Sequence, residues 1–133
     1  MTFMYYRKAK YHNKKTNLGG IVFDSKKEAN RWLELQQLEK YGVISDLERQ
    51  KAFELVPTLY YGKECVRGLK YIVDFYYFDK KLNSWVAEDT KGLKIDSYIV
   101  KKKVFLEKYV YEKNLVFIEG GKPVKMYKSE KKL

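Results

Sequence analysis

Leu69-Lys70-Tyr71-Ile72-Val73-Asp74-Phe75-Tyr76-Tyr77-Phe78 is the stretch on which the fold turns. β-Branched and aromatic residues occupy both alternating faces, as in a strand covered on two sides. Asp74 is the single acid of the run. Turn-forming residues follow at Asp79-Lys80-Lys81-Leu82-Asn83-Ser84, and Trp85-Val86-Ala87-Glu88-Asp89-Thr90-Lys91 resumes an extended pattern before Gly92. A hairpin is the simplest reading. Alternation with period two puts Asp89 and Lys91 on one face, Glu88 and Thr90 on the other. If Asp74 shares the first face, two carboxylates and an ammonium converge. Clustered carboxylates raise one another's pKa unless a cation is present, so such a cluster asks for a metal. The plainer alternative is a strand acid bonded to a local partner, with Asp89 and Lys91 forming a surface pair worth under about 1 kcal/mol.

Upstream of this hairpin, Met1 to Asn17 is basic, interleaved with tyrosines and without a clear period, and reads as an arm covering residues 1–17. Gly19-Gly20 precedes a short extended Ile21-Val22-Phe23. Asp24-Ser25 then leads into a helix from Lys26 to Tyr41. Ser25 and Glu28 have capping-box spacing, Ala29, Trp32, Leu35 and Leu38 form an apolar side, and Gly42 is placed to stop the helix. Val43 to Glu48 reads as a connection and Gln50 to Val56 as a first strand ended by Pro57, with a turn at Tyr60-Tyr61-Gly62-Lys63. Downstream, Ser97 to Lys113 reads as a second helix with Ile99, Val104, Phe105, Leu106 and Tyr109 on its apolar side. Leu115-Val116-Phe117-Ile118 is a short buried strand, and Gly120-Gly121 opens a lysine-rich tail, 119–133. The order is helix, three strands, helix, strand: an α/β (α+β) fold with a mixed sheet flanked by helices.

Composition narrows the function. A chain of 133 residues is one domain, 1–133, large enough to bury a core without staples. Its 28 basic and 17 acidic residues leave a formal charge of +11. The expected partner is a polyanion, nucleic acid before membrane, since no stretch is apolar and long enough to span a bilayer. No secretory h-region follows Met1, so a cytoplasmic location is expected. Cys65 is the single cysteine, which excludes an internal disulfide and a cysteine zinc cluster. His12, the sole histidine, sits in the basic arm, where a structural or DNA-facing role outweighs metal ligation.

A helix, an acid on the second main strand and an acid-x-Lys on the third resemble the PD-(D/E)xK nuclease superfamily. Within it, the similarity is closest to a small phage-borne family catalogued as a domain of unknown function. The residues that carry the resemblance are Tyr11-His12-Asn13-Lys14-Lys15, Gly20-Ile21-Val22-Phe23-Asp24-Ser25-Lys26-Lys27-Glu28-Ala29, Leu47-Glu48-Arg49-Gln50, Tyr71-Ile72-Val73-Asp74-Phe75, Glu88-Asp89-Thr90-Lys91-Gly92 and Lys101-Lys102-Lys103. The resemblance implies an αβββαβ, restriction-endonuclease-like core. It implies that Asp74 is the central metal ligand, Asp89 the second, and Lys91 the cation beside the scissile phosphate. Glu28 matches an additional acid near the metal, although Ser25-x-x-Glu28 is also a self-sufficient capping box. Val73 stands where the motif's name has proline, Asp stands for Glu at position 89, and Glu88 competes for the role given to Asp89. Lys14, Lys15, Gln50, Lys101 and Lys103 are candidate nucleic-acid contacts.

The implied cofactor is Mg2+ or Mn2+, a hard cation suited to oxygen ligands. With no separate module for reading base sequence, the expected activity is that of a homodimeric endonuclease acting on DNA branches such as four-way junctions, in a host-cell cytoplasm if phage-encoded. Two other classes stay open: a non-catalytic nucleic-acid-binding protein and a basic structural or assembly protein.

Overall fold

A computed structural model describes residues 15–90 and 96–129. Lys91, Lys14 and His12, with the rest of residues 1–14, lie outside the described residues. The chain opens on a small hairpin, β1 (Thr16–Leu18) and β2 (Ile21–Phe23), closed by Gly19 and Gly20, both at positive φ. Thr16 and Asn17 therefore belong to a strand and not to the arm in which the sequence reading placed them.

Helix α1 (Lys26–Lys40) starts and stops where local chemistry dictates. Ser25 Oγ accepts the Glu28 N–H at 3.1 Å, and Gly42 takes φ 78°, the left-handed position that ends helices. Strand β3 (Ile44–Val56) follows at once. Val43 to Glu48 is mostly strand and not connection, because a bulge between Ser45 and Glu48, with Asp46 at φ 55°, breaks the alternation that a strand would show in sequence. A second hairpin, β4 (Leu59–Tyr61) and β5 (Glu64–Val66), surrounds the turn expected at Gly62-Lys63. Next come β6 (Leu69–Asp79), β7 (Ser84–Asp89) and α2 (Asp96–Phe105).

At Phe105 the second helix changes to a π-helix, Leu106–Tyr111. The wider turn keeps Val110 on the buried side five residues after Phe105, while Ile99 and Val104, expected inside, are turned away from Phe105 by the regular α-helix before it and are exposed. Strand β8 (Val116–Glu119) turns at Gly120-Gly121 into β9 (Lys122–Val124), a strand where the sequence reading had only tail.

The main sheet has the order β3-β6-β7-β8-β9, with β7 and β8 parallel and the other pairs antiparallel. The α1-β3-β6-β7-α2-β8 core reproduces the expected αβββαβ order, a five-stranded mixed sheet flanked by two helices. One buried cluster joins Leu35 of α1 to Ile44, Phe75, Tyr77 and Val86. The other joins Phe105 of α2 to Phe53, Tyr71, Val73, Ala87 and Phe117. Val86 and Ala87 are chain neighbours in different clusters, so the clusters lie on opposite faces of the sheet.

Val73 and Phe75 also belong to different clusters, although residues two apart in a regular strand share a face. The alternation therefore slips by one at Asp74. Across from it, the pairs Arg49↔Phe75 and Lys51↔Val73 bracket Gln50, which sits at φ 53°. A left-handed residue on one strand and a switched face on its partner mark one kink, and the acid lies in it.

Candidate active site

The kink sends Asp74 towards residues that a straight strand would keep from it. Its Oδ2 accepts both the backbone N–H and the Oγ1–H of Thr90, each at 2.8 Å. The sequence reading had put Thr90 on the face away from Asp89 and, with it, away from Asp74. The slip in β6 is the reason that expectation fails. Burial raises the pKa of Asp74, the Thr90 bonds pull it down, Asp24 raises it further and the Arg49 guanidinium lowers it.

Asp89 is held from three sides. Its Oδ1 accepts the Asp74 backbone N–H at 3.2 Å, and its Oδ2 accepts the hydroxyls of Tyr71 at 2.5 Å and Tyr98 at 2.9 Å. The two phenolic oxygens also lie 2.6 Å apart. Two phenolic protons cannot serve all three of these oxygen contacts, and a proton on Asp89 would supply the third. Burial, then repulsion from Asp74, pushes the Asp89 carboxyl up to about 6 against the pull of both tyrosines. Burial, followed by the Asp89 charge, holds Tyr71 well above the ordinary phenol range.

Glu28 is buried at the start of α1. The cap it shares with Ser25 is half a capping box: the serine bonds to the Glu28 N–H, and the glutamate side chain takes a backbone hydrogen bond from Asp24 while its Oε1 stays buried with no hydrogen-bond partner. Burial, then repulsion from Asp74 and Asp24, lifts its carboxyl to about 7. Among the described residues Arg49 is the one opposing cation, with Nη2 3.9 Å from Oε1, too far for a hydrogen bond. The guanidinium instead stacks 4.4 Å from the Phe23 ring centroid.

Glu88, the competitor for the role of Asp89, is fully engaged elsewhere. Arg31 of α1 grips it with two bonds, Nε to Oε1 at 2.9 Å and Nη2 to Oε2 at 2.7 Å, and the Tyr77 hydroxyl adds a third. This pair ties α1 to β7. Asp89 and Thr90 also line a cleft of about 450 Å³, together with Lys27, Arg31, Glu88 and Gly121.

Of the expected site residues, Asp74, Asp89 and Glu28 come together as one electrostatically coupled group. Among the described residues no three His, Cys, Asp or Glu side chains close a metal site by themselves. The donor set nonetheless fits a Mg2+-type ion. Such an ion takes one or two carboxylates and completes its shell with water and phosphate oxygens, and Glu28 Oε1, which makes no hydrogen bond among the described residues and meets Arg49 only at 3.9 Å, is the kind of buried oxygen that a cation satisfies. Of the candidate nucleic-acid contacts, Gln50 is exposed in the kink, Lys15 is exposed and Lys101 is half-buried. Lys103 lines a separate surface hollow with Val104, Glu107 and Lys108. Lys102, between those two lysines, is paired with Glu119.

The sequence reading missed Tyr71, Tyr98, Arg49 and Thr90. A buried tyrosine where phenylalanine would pack equally well signals a partner for its hydroxyl, and Tyr71 was legible on that ground. Tyr98 and Arg49 carried no such signal, because a half-buried tyrosine on a helix or arginine on a strand calls for no particular partner.

The site and its surroundings fall within the span of a known family. A model for a protein family of unknown function, DUF1064, matches residues 8–125. The chain belongs to the DUF1064 family. The matched span contains Glu28, Asp74 and Asp89, and also both helices and every strand of the main sheet. No curated protein and no solved structure matches this chain.

Proposed function

We propose that this DUF1064 protein is a metal-dependent DNA endonuclease of the PD-(D/E)xK type. The observation that carries the reading is the group of Glu28 and Asp89, both buried, each with its carboxyl raised in part by the half-buried Asp74, and with one Glu28 oxygen making no hydrogen bond among the described residues. Buried acids that raise one another's pKa cost stability unless a cation joins them, and clusters of this kind concentrate at functional sites.

Asp74 and Glu28 would hold a Mg2+ or Mn2+ ion, with Asp89 contributing its Oδ1. When bound, the ion would polarise a phosphoryl oxygen and lower the pKa of an attacking water. Thr90 keeps Asp74 in one orientation through two bonds, and Tyr71 and Tyr98 do the same for Asp89. Lys91, immediately after Thr90 in sequence, would stabilise charge building on the phosphate. Lys27, lining the cleft beside Asp89, would supply a cation for the nucleic-acid backbone.

The net charge of +11 supports nucleic acid as the substrate class. Among the described residues no helix is long and apolar enough to cross a membrane. A homodimer with two sites acting on branched DNA, in a cytoplasmic setting, completes the proposal. The test is a panel of labelled linear, single-stranded, flapped and four-way-junction DNAs incubated with Mg2+, Mn2+ or chelator, beside Asp74→Asn. Metal-dependent cleavage by the wild type alone is expected. Equal cleavage by both proteins after rigorous purification would overturn the assignment, and Mg2+-independent binding without cleavage would favour a non-catalytic DNA-binding protein.

A further inference from the structure

The β4–β5 hairpin exposes a run of apolar residues, Leu59, Tyr60, Tyr61 and Val66. All six of its strand residues are exposed, Tyr60 at 73% and Tyr61 at 79%. Neither ring is engaged by another described residue. The hairpin is nonetheless firmly rooted. At its base a Cβ on Gly68 would lie 2.4 Å from the Val56 carbonyl oxygen, and the Gly68 N–H donates to Thr58 Oγ1 at 3.1 Å. Such a close backbone approach holds the ribbon where the β3–β6 pair ends.

Register decides how the rings point. Tyr60 pairs with Cys65 and Tyr61 with Glu64, so the two tyrosines project from opposite faces of the ribbon. A flat protein partner would cover one ring and leave the other in water. A ribbon with a ring on each face suits insertion between two planar groups. Between Pro57 and Lys70 the charges are Lys63, Arg67 and Lys70 against Glu64 alone, and the three cations are exposed and make no ion pair among the described residues. Interleaved aromatics and cations fit unpaired bases and their phosphates.

We propose that the β4–β5 hairpin is a wedge that stacks Tyr60 and Tyr61 on unpaired bases at a branch or fork in the nucleic acid. This rests on the nucleic-acid half of the function proposed above, and not on its chemistry. Five residue steps of β6 lead from Leu69, at the root of the hairpin, to Asp74, at most about 17 Å of extended chain, or about five nucleotide steps at 3.4 Å each. The wedge would thus set where, relative to a branch point, the acids meet the backbone.

The test measures binding in chelator, where cleavage plays no part. Wild type, Tyr60→Ala/Tyr61→Ala and Tyr60→Phe/Tyr61→Phe are titrated with forked, single-stranded and blunt duplex DNA, and their masses in solution are compared. The alanine pair is expected to weaken fork binding by about five- to a hundredfold, with duplex binding and the slope of log K against log salt unchanged, while the phenylalanine pair binds as wild type. A photocrosslinker on Cys65, exposed and the sole cysteine, should attach to the unpaired nucleotides of the fork. If the alanine pair binds the fork as tightly as wild type, or lowers the solution mass while leaving DNA affinity alone, the hairpin is not a wedge. If wild type binds no nucleic acid at all, the function proposed above falls with it.

Discussion

The backbone N–H of Asp74 donates to Oδ1 of Asp89 across 3.2 Å, so one acid orients the chain that carries the other. Thr90, next to Asp89, returns two bonds to the Asp74 side chain. The middle of β6 and the end of β7 are cross-tied before any cation or substrate arrives.

Asp74→Asn should preserve this tie, because an amide oxygen can accept both Thr90 donors as the carboxylate does. The variant is expected to melt at or slightly above the wild-type temperature, since a buried charge is removed, and to lose metal-dependent cleavage by about a hundredfold or more. Calorimetry and a junction-cleavage assay on the same preparation check both halves. Strong destabilisation with retained cleavage would show that Asp74 serves the fold.

Thr90→Val keeps the backbone bond to Asp74 and removes the hydroxyl at nearly constant volume. A loss of about 1 kcal/mol in urea unfolding is expected, together with a drop in cleavage rate smaller than that of Asp74→Asn. Thr90→Ser, which keeps the donor, should restore most of the rate.

Glu88 and Asp89 are told apart by Glu88→Gln. Removing the charge opposite Arg31 leaves a half-buried guanidinium poorly paired, and a destabilisation of about 2–3 kcal/mol is expected, discounted from the fully buried case because Arg31 is partly exposed. The folded protein should still take up Mg2+ with wild-type affinity by isothermal titration. Loss of Mg2+ binding in Glu88→Gln, with binding retained in Asp89→Asn, would reverse the two roles.

The raised carboxyls also set a pH dependence. Glu28 sits near 7 and Asp89 near 6 in the fold, against about 4 in an unfolded chain. Between those limits the folded state binds more protons, so stability falls as pH rises through the window. In chelator, the melting temperature should decline from about pH 5 to about pH 7, and Glu28→Gln should flatten the decline. Added Mg2+ should raise the melting temperature most at the upper end, where the acids are ionised. A melting temperature that climbs over this range in chelator would contradict the assigned shifts.

Local chemistry made much of the fold legible. Ser25 and Gly42 bounded α1 because caps act within one turn, and the apolar run through Tyr71 and Phe75 announced β6 because burial on both faces leaves few polar residues. What stayed hidden depended on irregular backbone or distant partners. The bulge near Asp46 disguised the first part of β3 as a loop, and the π-helix after Phe105 put Val110, which a regular period would not select, on the buried side. β9 was too short and too polar at Lys122 to stand out from a basic tail. Within the site, the acids were visible as odd residues in apolar strands. Of their orienting groups only Tyr71 was legible, since Tyr98 meets Asp89 through the packing of α2.

The slip at Asp74 has a consequence for divergence. The buried residues Tyr71, Val73, Phe75 and Tyr77 read as one unbroken odd-numbered series, yet they serve two opposite cores. Any change that straightened the strand would turn one half of that series into water. The bend is thus protected by hydrophobic packing independently of whatever the acid does. A relative that lost its chemistry by replacing Asp74 would be expected to inherit the bend intact, a fossil of the site kept by the core.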